Sequence, residues 1–123
     1  MFVITMLLRR RPDLSAEEFH DYWREHHGPL AVSLSGELGI RRYVQLHTIP
    51  SAVGEALAKP RGCASPEWDG LALVSFDSEE AAVAAGMTPE GRAASSALLE
   101  DERNFLDLPR CELFITEDQT FVD

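Results

Sequence analysis

Cysteine is nearly absent: Cys63 and Cys111 are the only two, and they form no CxxC pair. That excludes a disulfide framework and a cysteine-rich zinc site. Both are expected as free thiols in a reducing compartment, Cys111 as a small core residue alternating with Leu113 and Ile115, Cys63 in a loop. No apolar run approaches the roughly 20 residues that a membrane span needs. The opening MFVITMLLRRR is apolar first and basic second, the reverse of a secretory leader, so it reads as a strand and the protein as cytoplasmic. Basic charge is scarce in the second half. Residues 62–123 hold 3 basic and 14 acidic side chains against 8 and 7 in residues 1–61, for a net charge of −10. An acidic surface repels phosphate backbones, which argues against a nucleic-acid partner. H-E-x-x-H, a P-loop, a strand followed by G-x-G-x-x-G and a serine nucleophile elbow are all missing as well. His20, His26 and His27 do not supply a three-ligand helical spacing, so no metal site is expected.

What is present fits one domain, residues 1–123. A content of 45% hydrophobic and 26% charged residues is ordinary for a soluble globular protein. The densest segment is SAEEFHDYWREHHGPL, Ser15 to Leu30. Ser15 and Glu18 form a capping box, and Gly28-Pro29 reads as the stop of a helix over 15–27. At about 100° per residue, Phe19, Tyr22, Trp23, His26 and Leu30 share one stripe, with His27 at its edge. An imidazole on a partly buried aromatic face has a shifted pKa and exchanges protons near neutrality. The plainer account is a packing stripe whose histidines sit at a helix C-terminus, where cations are favoured.

Residues 2–9 read as a strand, 11–13 as a turn and 31–39 as an irregular connector. Ile40–Ile49 reads as a second strand, with Arg41, Tyr43, Gln45, His47 and Ile49 on one face. Residues 50–67, with three prolines and two glycines, read as a long loop. Leu71–Phe76 is a third strand. Asp77 with Glu80 caps a short helix, Pro89 opens a longer one to about Arg103, and Cys111–Thr116 is the fourth strand. Strand, helix, strand, repeated, predicts an α+β fold: a ferredoxin-like split βαβ sandwich, with a four-stranded antiparallel sheet and helices on one face. The strands are apolar on both faces, so the uncovered face is expected to meet a second copy in a homodimer.

The runs RRRPDLSAEEFHDYWREHHGPL, RRYVQLHTIP, WDGLALVSFDSEEA, TPEGRAA and DERNFLDL resemble, in order, an EthD-domain protein. The resemblance implies a dimeric α/β barrel that needs no metal or organic cofactor. It makes His27 of the H-G-P run and His47 of the Y-V-Q-x-H run the acid/base candidates and lowers the standing of His26. The 51–67 segment departs from the family pattern where the substrate opening is expected.

Other candidates are weighed from the residues. His47 with Tyr43 and Gln45 forms a row of hydrogen-bonding groups, read as a proton donor or acceptor in a cleft, or as a histidine holding a loop or dimer contact. Tyr22 and Trp23 are packing residues first, and the Tyr22 hydroxyl is placed to orient a carbonyl or phenolate. Trp23, Tyr43 and Asn104 join Tyr22 as candidate substrate contacts, although Asn104 also suits a helix C-cap. Asp107 either orients a histidine or pairs with Arg42 or Arg110. With the family resemblance, the favoured expectation is a cofactor-independent decarboxylase, dehydratase, cyclase or isomerase acting on a small aromatic or polyketide-like metabolite. The alternatives are an oxidoreductase- or oxygenase-associated protein of a degradation pathway, and a non-catalytic dimer that holds a hydrophobic metabolite.

Overall fold

A computed structural model describes all residues, 1–123. The elements run β1 (Phe2–Leu8), α1 (Ala16–Tyr22), a π-helical turn (Trp23–His27), α2 (Gly28–Leu38), β2 (Arg42–His47), α3 (Ala52–Ala58), β3 (Gly70–Phe76), α4 (Glu79–Met87), α5 (Pro89–Glu102) and β4 (Glu112–Glu117). The sheet order is β2-β3-β1-β4, with every neighbouring pair antiparallel. This is the ferredoxin-like split βαβ arrangement: β3 lies between β1 and β2, and β1 lies between β3 and β4. None of the helices is long and apolar enough to cross a membrane.

Helices start where short polar side chains cap them. Ser15, Ser51, Ser78 and Thr88 each accept a hydrogen bond from the backbone N–H three residues on. Ser15 and Glu18 complete the capping box reciprocally.

Several sequence expectations are corrected, and the cap of α4 is Ser78 and not Asp77. Gly28-Pro29 does not stop the helix, and 31–39 is no irregular connector, because α2 runs through it to Leu38. Pro29 occupies the first turn of α2, where a missing N–H costs nothing. The Gly28 N–H reaches back five residues to the Trp23 carbonyl, so the chain turns through one π turn without breaking. The real stop is Gly39, at φ 70°, a left-handed conformation that glycine adopts freely. The 50–67 loop also carries structure, since Ser51 caps α3 and a 3-10 turn follows at Lys59–Arg61. Ends of all four strands fall one or two residues from the expected positions.

The core sits between β1, α1 and the segment after α5. Leu8, Phe19, Trp23, Phe105 and Leu106 form its buried cluster. Gly70 makes room for it, since a Cβ there would lie 2.6 Å from the Trp23 ring. The opposite sheet face has no helix. Register places Val44, Leu73, Thr5 and Phe114 in one row across all four strands, and Leu46, Leu71 and Leu7 in the next. Leu46 and Phe114 remain 48% and 45% exposed.

Candidate active site

Between the sheet and the helices lies a cavity of about 310 Å³ lined by 20 residues, 16 of them hydrophobic. Ile4, Met6, Ala72 and Val74 form its sheet floor, and Ala31, Leu38 and Leu98 belong to its helical walls. The polar side chains that interrupt this lining are His27, Tyr43, Ser95 and Glu102, and no arginine or lysine joins them.

His27 reaches the cavity because of the π turn. Uninterrupted α-helical geometry places His26 in the stripe of Phe19 and Trp23. One extra residue in the turn rotates the chain so that His27 takes the inner position, 8% exposed. His26 is left outside, stacked on Tyr22 with centroids 4.9 Å apart. His27 packs against Phe105 and places Nδ1 2.8 Å from Asp101 Oδ2. With the carboxylate ionised, Nδ1 carries the proton and Nε2 keeps its lone pair. Burial lowers the His27 pKa, and the Asp101 carboxylate offsets only part of that. The ring is therefore neutral at neutral pH, the form a general base needs.

Asp101 is braced in turn. Tyr22 donates its hydroxyl to Oδ1 at 2.6 Å, and Asn104 Nδ2 donates to the same oxygen at 3.3 Å and to the Tyr22 oxygen at 3.1 Å. Burial raises the Asp101 pKa, but these donors and His27 outweigh it, and the carboxyl titrates below its ordinary value.

One turn of α5 thus faces two ways. Asp101 meets His27, while Glu102, four residues after Leu98, enters the cavity itself. Glu102 makes no side-chain hydrogen bond. Burial, helped by the Asp101 charge, pushes its pKa up to about 7. It is poised to give or take a proton near neutrality.

The expected site residues separate into three groups. His27, Trp23 and Tyr43 line the cavity. Tyr22 and Asn104 stand behind it, holding Asp101. His47 and Asp107 are elsewhere. His47 ends β2 under Trp23, its ring 4.3 Å away, and faces His20 and Gln45 instead of the cavity. Asp107 pairs with Arg110 at 3.7 Å, and the carboxylate on His27 is Asp101. Asn104 is not the α5 C-cap, a position held by Arg103. Asp101, Glu102 and the His20 partner of His47 were not anticipated. Glu102 had a visible signal: Ser95, Leu98 and Glu102 recur at helical spacing and place a carboxyl in an apolar stripe. Nowhere do three or more His, Cys, Asp or Glu side chains gather in a way that could hold a metal ion.

Comparison with known proteins agrees with this fold. The family model described as EthD domain matches residues 11–109. A decarboxylase of Passalora fulva, claH, is 26% identical over 121 residues, which is 97% of this chain and 77% of that protein. Among solved structures, an EthD family protein from Bacillus halodurans superposes with a TM-score of 0.63 at 19% identity, covering 97% of this chain and 100% of the other. A dimeric protein of unknown function with a ferredoxin-like fold, from Bacteroides fragilis, superposes at 0.59 with 14% identity and 95% coverage of each chain.

Proposed function

Because the chain belongs to the EthD domain family, we propose that it is an acid/base enzyme that decarboxylates a small aromatic or polyketide-like keto acid without a metal or organic cofactor. One observation carries this reading: a buried neutral imidazole, fixed by a braced carboxylate, shares an apolar cavity with an unpartnered carboxyl that titrates near neutrality. The apolar walls suit a ring system. A carboxylate brought inside finds no cation, so its desolvated charge favours loss of carbon dioxide.

In that reaction the bond from the carboxylate to the α-carbon breaks and carbon dioxide leaves. The electron pair passes to the ketone oxygen as an enolate. His27, after taking up a proton, then delivers it to the α-carbon, and Glu102, which titrates near neutrality, serves as the proton reserve of the cavity. Asp101 keeps the His27 ring oriented and stabilises it when it is charged, with Tyr22 and Asn104 holding Asp101 in place. The name of the Passalora fulva relative supports decarboxylation over the dehydration, cyclisation or isomerisation that the same groups permit. The working unit in this reading is a homodimer built on the uncovered sheet face.

Benzoylacetate is a suitable probe substrate, with carbon dioxide release as the readout. His27→Ala lowers the rate by about 10²–10⁴-fold, the usual contribution of a positioned acid or base. Asp101→Asn, which leaves the ring in place without its counter-charge, lowers it less. Folded variants of both kinds that keep the wild-type rate would refute the assignment.

A further inference from the structure

A second polar network reaches the cavity through Tyr43. His20 Nδ1 and His47 Nδ1 lie 2.7 Å apart, His47 Nε2 lies 2.8 Å from Gln45 Oε1, and Gln45 Nε2 lies 2.9 Å from the Trp23 carbonyl and 2.8 Å from the Tyr43 hydroxyl. Tyr43 lines the cavity, whereas His20, His47 and Gln45 do not.

The directions of these bonds follow from one fixed end. The Trp23 carbonyl only accepts, so the Gln45 nitrogen faces it and the Gln45 oxygen faces His47. The two amide hydrogens are then both used, one on Trp23 and one on the Tyr43 oxygen. His47 must carry its hydrogen on Nε2 to reach Gln45 Oε1. Its Nδ1 is therefore bare, and His20 supplies the hydrogen between the two rings. The outcome is at the far end. The Tyr43 oxygen receives a hydrogen bond from Gln45, and its own hydrogen has no acceptor within the chain.

We propose that the His20–His47–Gln45 network holds the Tyr43 hydroxyl as a hydrogen-bond donor into the cavity, creating a subsite for a single carbonyl, enolate or phenolate oxygen of the ligand. The proposal rests on the cavity being the ligand site, as argued above. It gives His47 the role of a positioning residue that acts through Gln45. It also states a specificity. With no arginine or lysine in the lining, the subsite takes one oxygen on a ring or ketone in preference to a phosphate or a bidentate anion. Burial raises the Tyr43 pKa by more than its hydrogen bonds with Gln45 and Trp23 lower it, so the hydroxyl keeps its proton for donation.

The test compares 4-nitrophenol with nitrobenzene, which lacks the hydroxyl, by calorimetric titration of the full chain. Wild-type protein binds both. Tyr43→Phe weakens 4-nitrophenol about tenfold, the usual effect of losing one hydrogen bond to an oxygen with anionic character, and leaves nitrobenzene unchanged. His47→Ala removes the donor that anchors Gln45 Oε1, so the amide no longer holds its nitrogen squarely on the Tyr43 oxygen, which weakens 4-nitrophenol several-fold but adds nothing on top of Tyr43→Phe. His47→Gln, which keeps a donor toward Gln45 Oε1, recovers most of the loss. If Tyr43→Phe binds 4-nitrophenol as well as wild type while nitrobenzene still binds, the subsite is overturned and the cavity stands. Additive losses from His47→Ala and Tyr43→Phe overturn the positioning role. Wild-type protein that binds neither compound overturns the cavity itself as the ligand site, and this proposal with it.

Discussion

A carboxyl buried beside an apolar cavity makes its own ionisation work against folding. In the unfolded chain Glu102 ionises near its ordinary 4.5, and in the folded chain near about 7. Between those values the unfolded chain has released a proton that the folded chain retains. Stability therefore falls as pH rises from 4.5 toward 7, and the penalty is complete above that. Glu102→Gln keeps the shape and removes the penalty. At pH 4 the variant and wild type are expected to unfold at the same urea concentration. At pH 8 the variant is expected to be more stable by about 2 kcal/mol, allowing for solvent that reaches the carboxyl. His20, His27 and His47 are each harder to protonate in the folded state, because burial disfavours the charged ring, so they remove stability as pH falls below their ordinary 6.5. They are common to both proteins and cancel in the difference. A Glu102→Gln variant that gains nothing at pH 8 would show that the carboxyl is solvated like a surface glutamate, and its acid/base role would fall with it. If the gain in stability comes with a loss of decarboxylation, the cavity carries a destabilising group because the chemistry needs it.

At the scale of the element, the π turn decides which histidine is inside. It behaves as a one-residue insertion: Phe19 before it, Trp23 and His27 at its two ends and Ala31 after it are all on the buried face. Deleting the exposed Glu25 then restores a continuous α-helix while leaving both buried sets inward. The deletion is expected to fold, with a near-UV circular dichroism spectrum like that of wild type and a melting temperature lowered by only a few degrees. An unfolded product would mean that the turn is required for the fold and is not an insertion within it. The same turn marks the limit of what sequence periodicity could show. A period of 3.6 residues assumes an unbroken helix, so it points to His26, and only the resemblance to a family pattern moved the weight to His27. The caps at Ser15 and Thr88, the strand alternation and the order of the four strands were legible, because each rests on local chemistry that the fold did not override. The Gly28-Pro29 stop misled because proline serves the first turn of a new helix as readily as it ends an old one. Asp101 was hidden for a different reason. Its contact with His27 spans 74 positions, and nothing local separates it from Asp107, six residues on, which turned to Arg110.

At the scale of the molecule, the sheet has one covered face and one bare face. The bare face presents Val44, Leu46, Leu71, Leu73 and Phe114 in neighbouring rows, and a contiguous apolar surface of this kind on a small domain is expected to be buried against a partner. A second copy satisfies it with the same residues from both sides, as a two-fold interface does. The wild-type chain is therefore expected to sediment as a dimer at micromolar concentration. Each protomer carries a net charge of −10, so long-range repulsion opposes association, and raising the salt concentration is expected to tighten the dimer as it screens that charge. Leu46→Glu provides the sharper test. Leu46 is 48% exposed within one chain, so the substitution barely disturbs the protomer, yet it places two carboxylates in the apolar contact between copies. Dimer affinity should fall at least a hundredfold. The cavity is lined by residues of a single chain and lies on the helical side of the sheet, so the monomeric variant should still bind nitrobenzene as the wild type does. If Leu46→Glu remains a dimer, the protomers meet through another surface. If it becomes monomeric and loses the ligand, the second copy is needed to hold the cavity in shape, and the site belongs to the pair of chains and not to one.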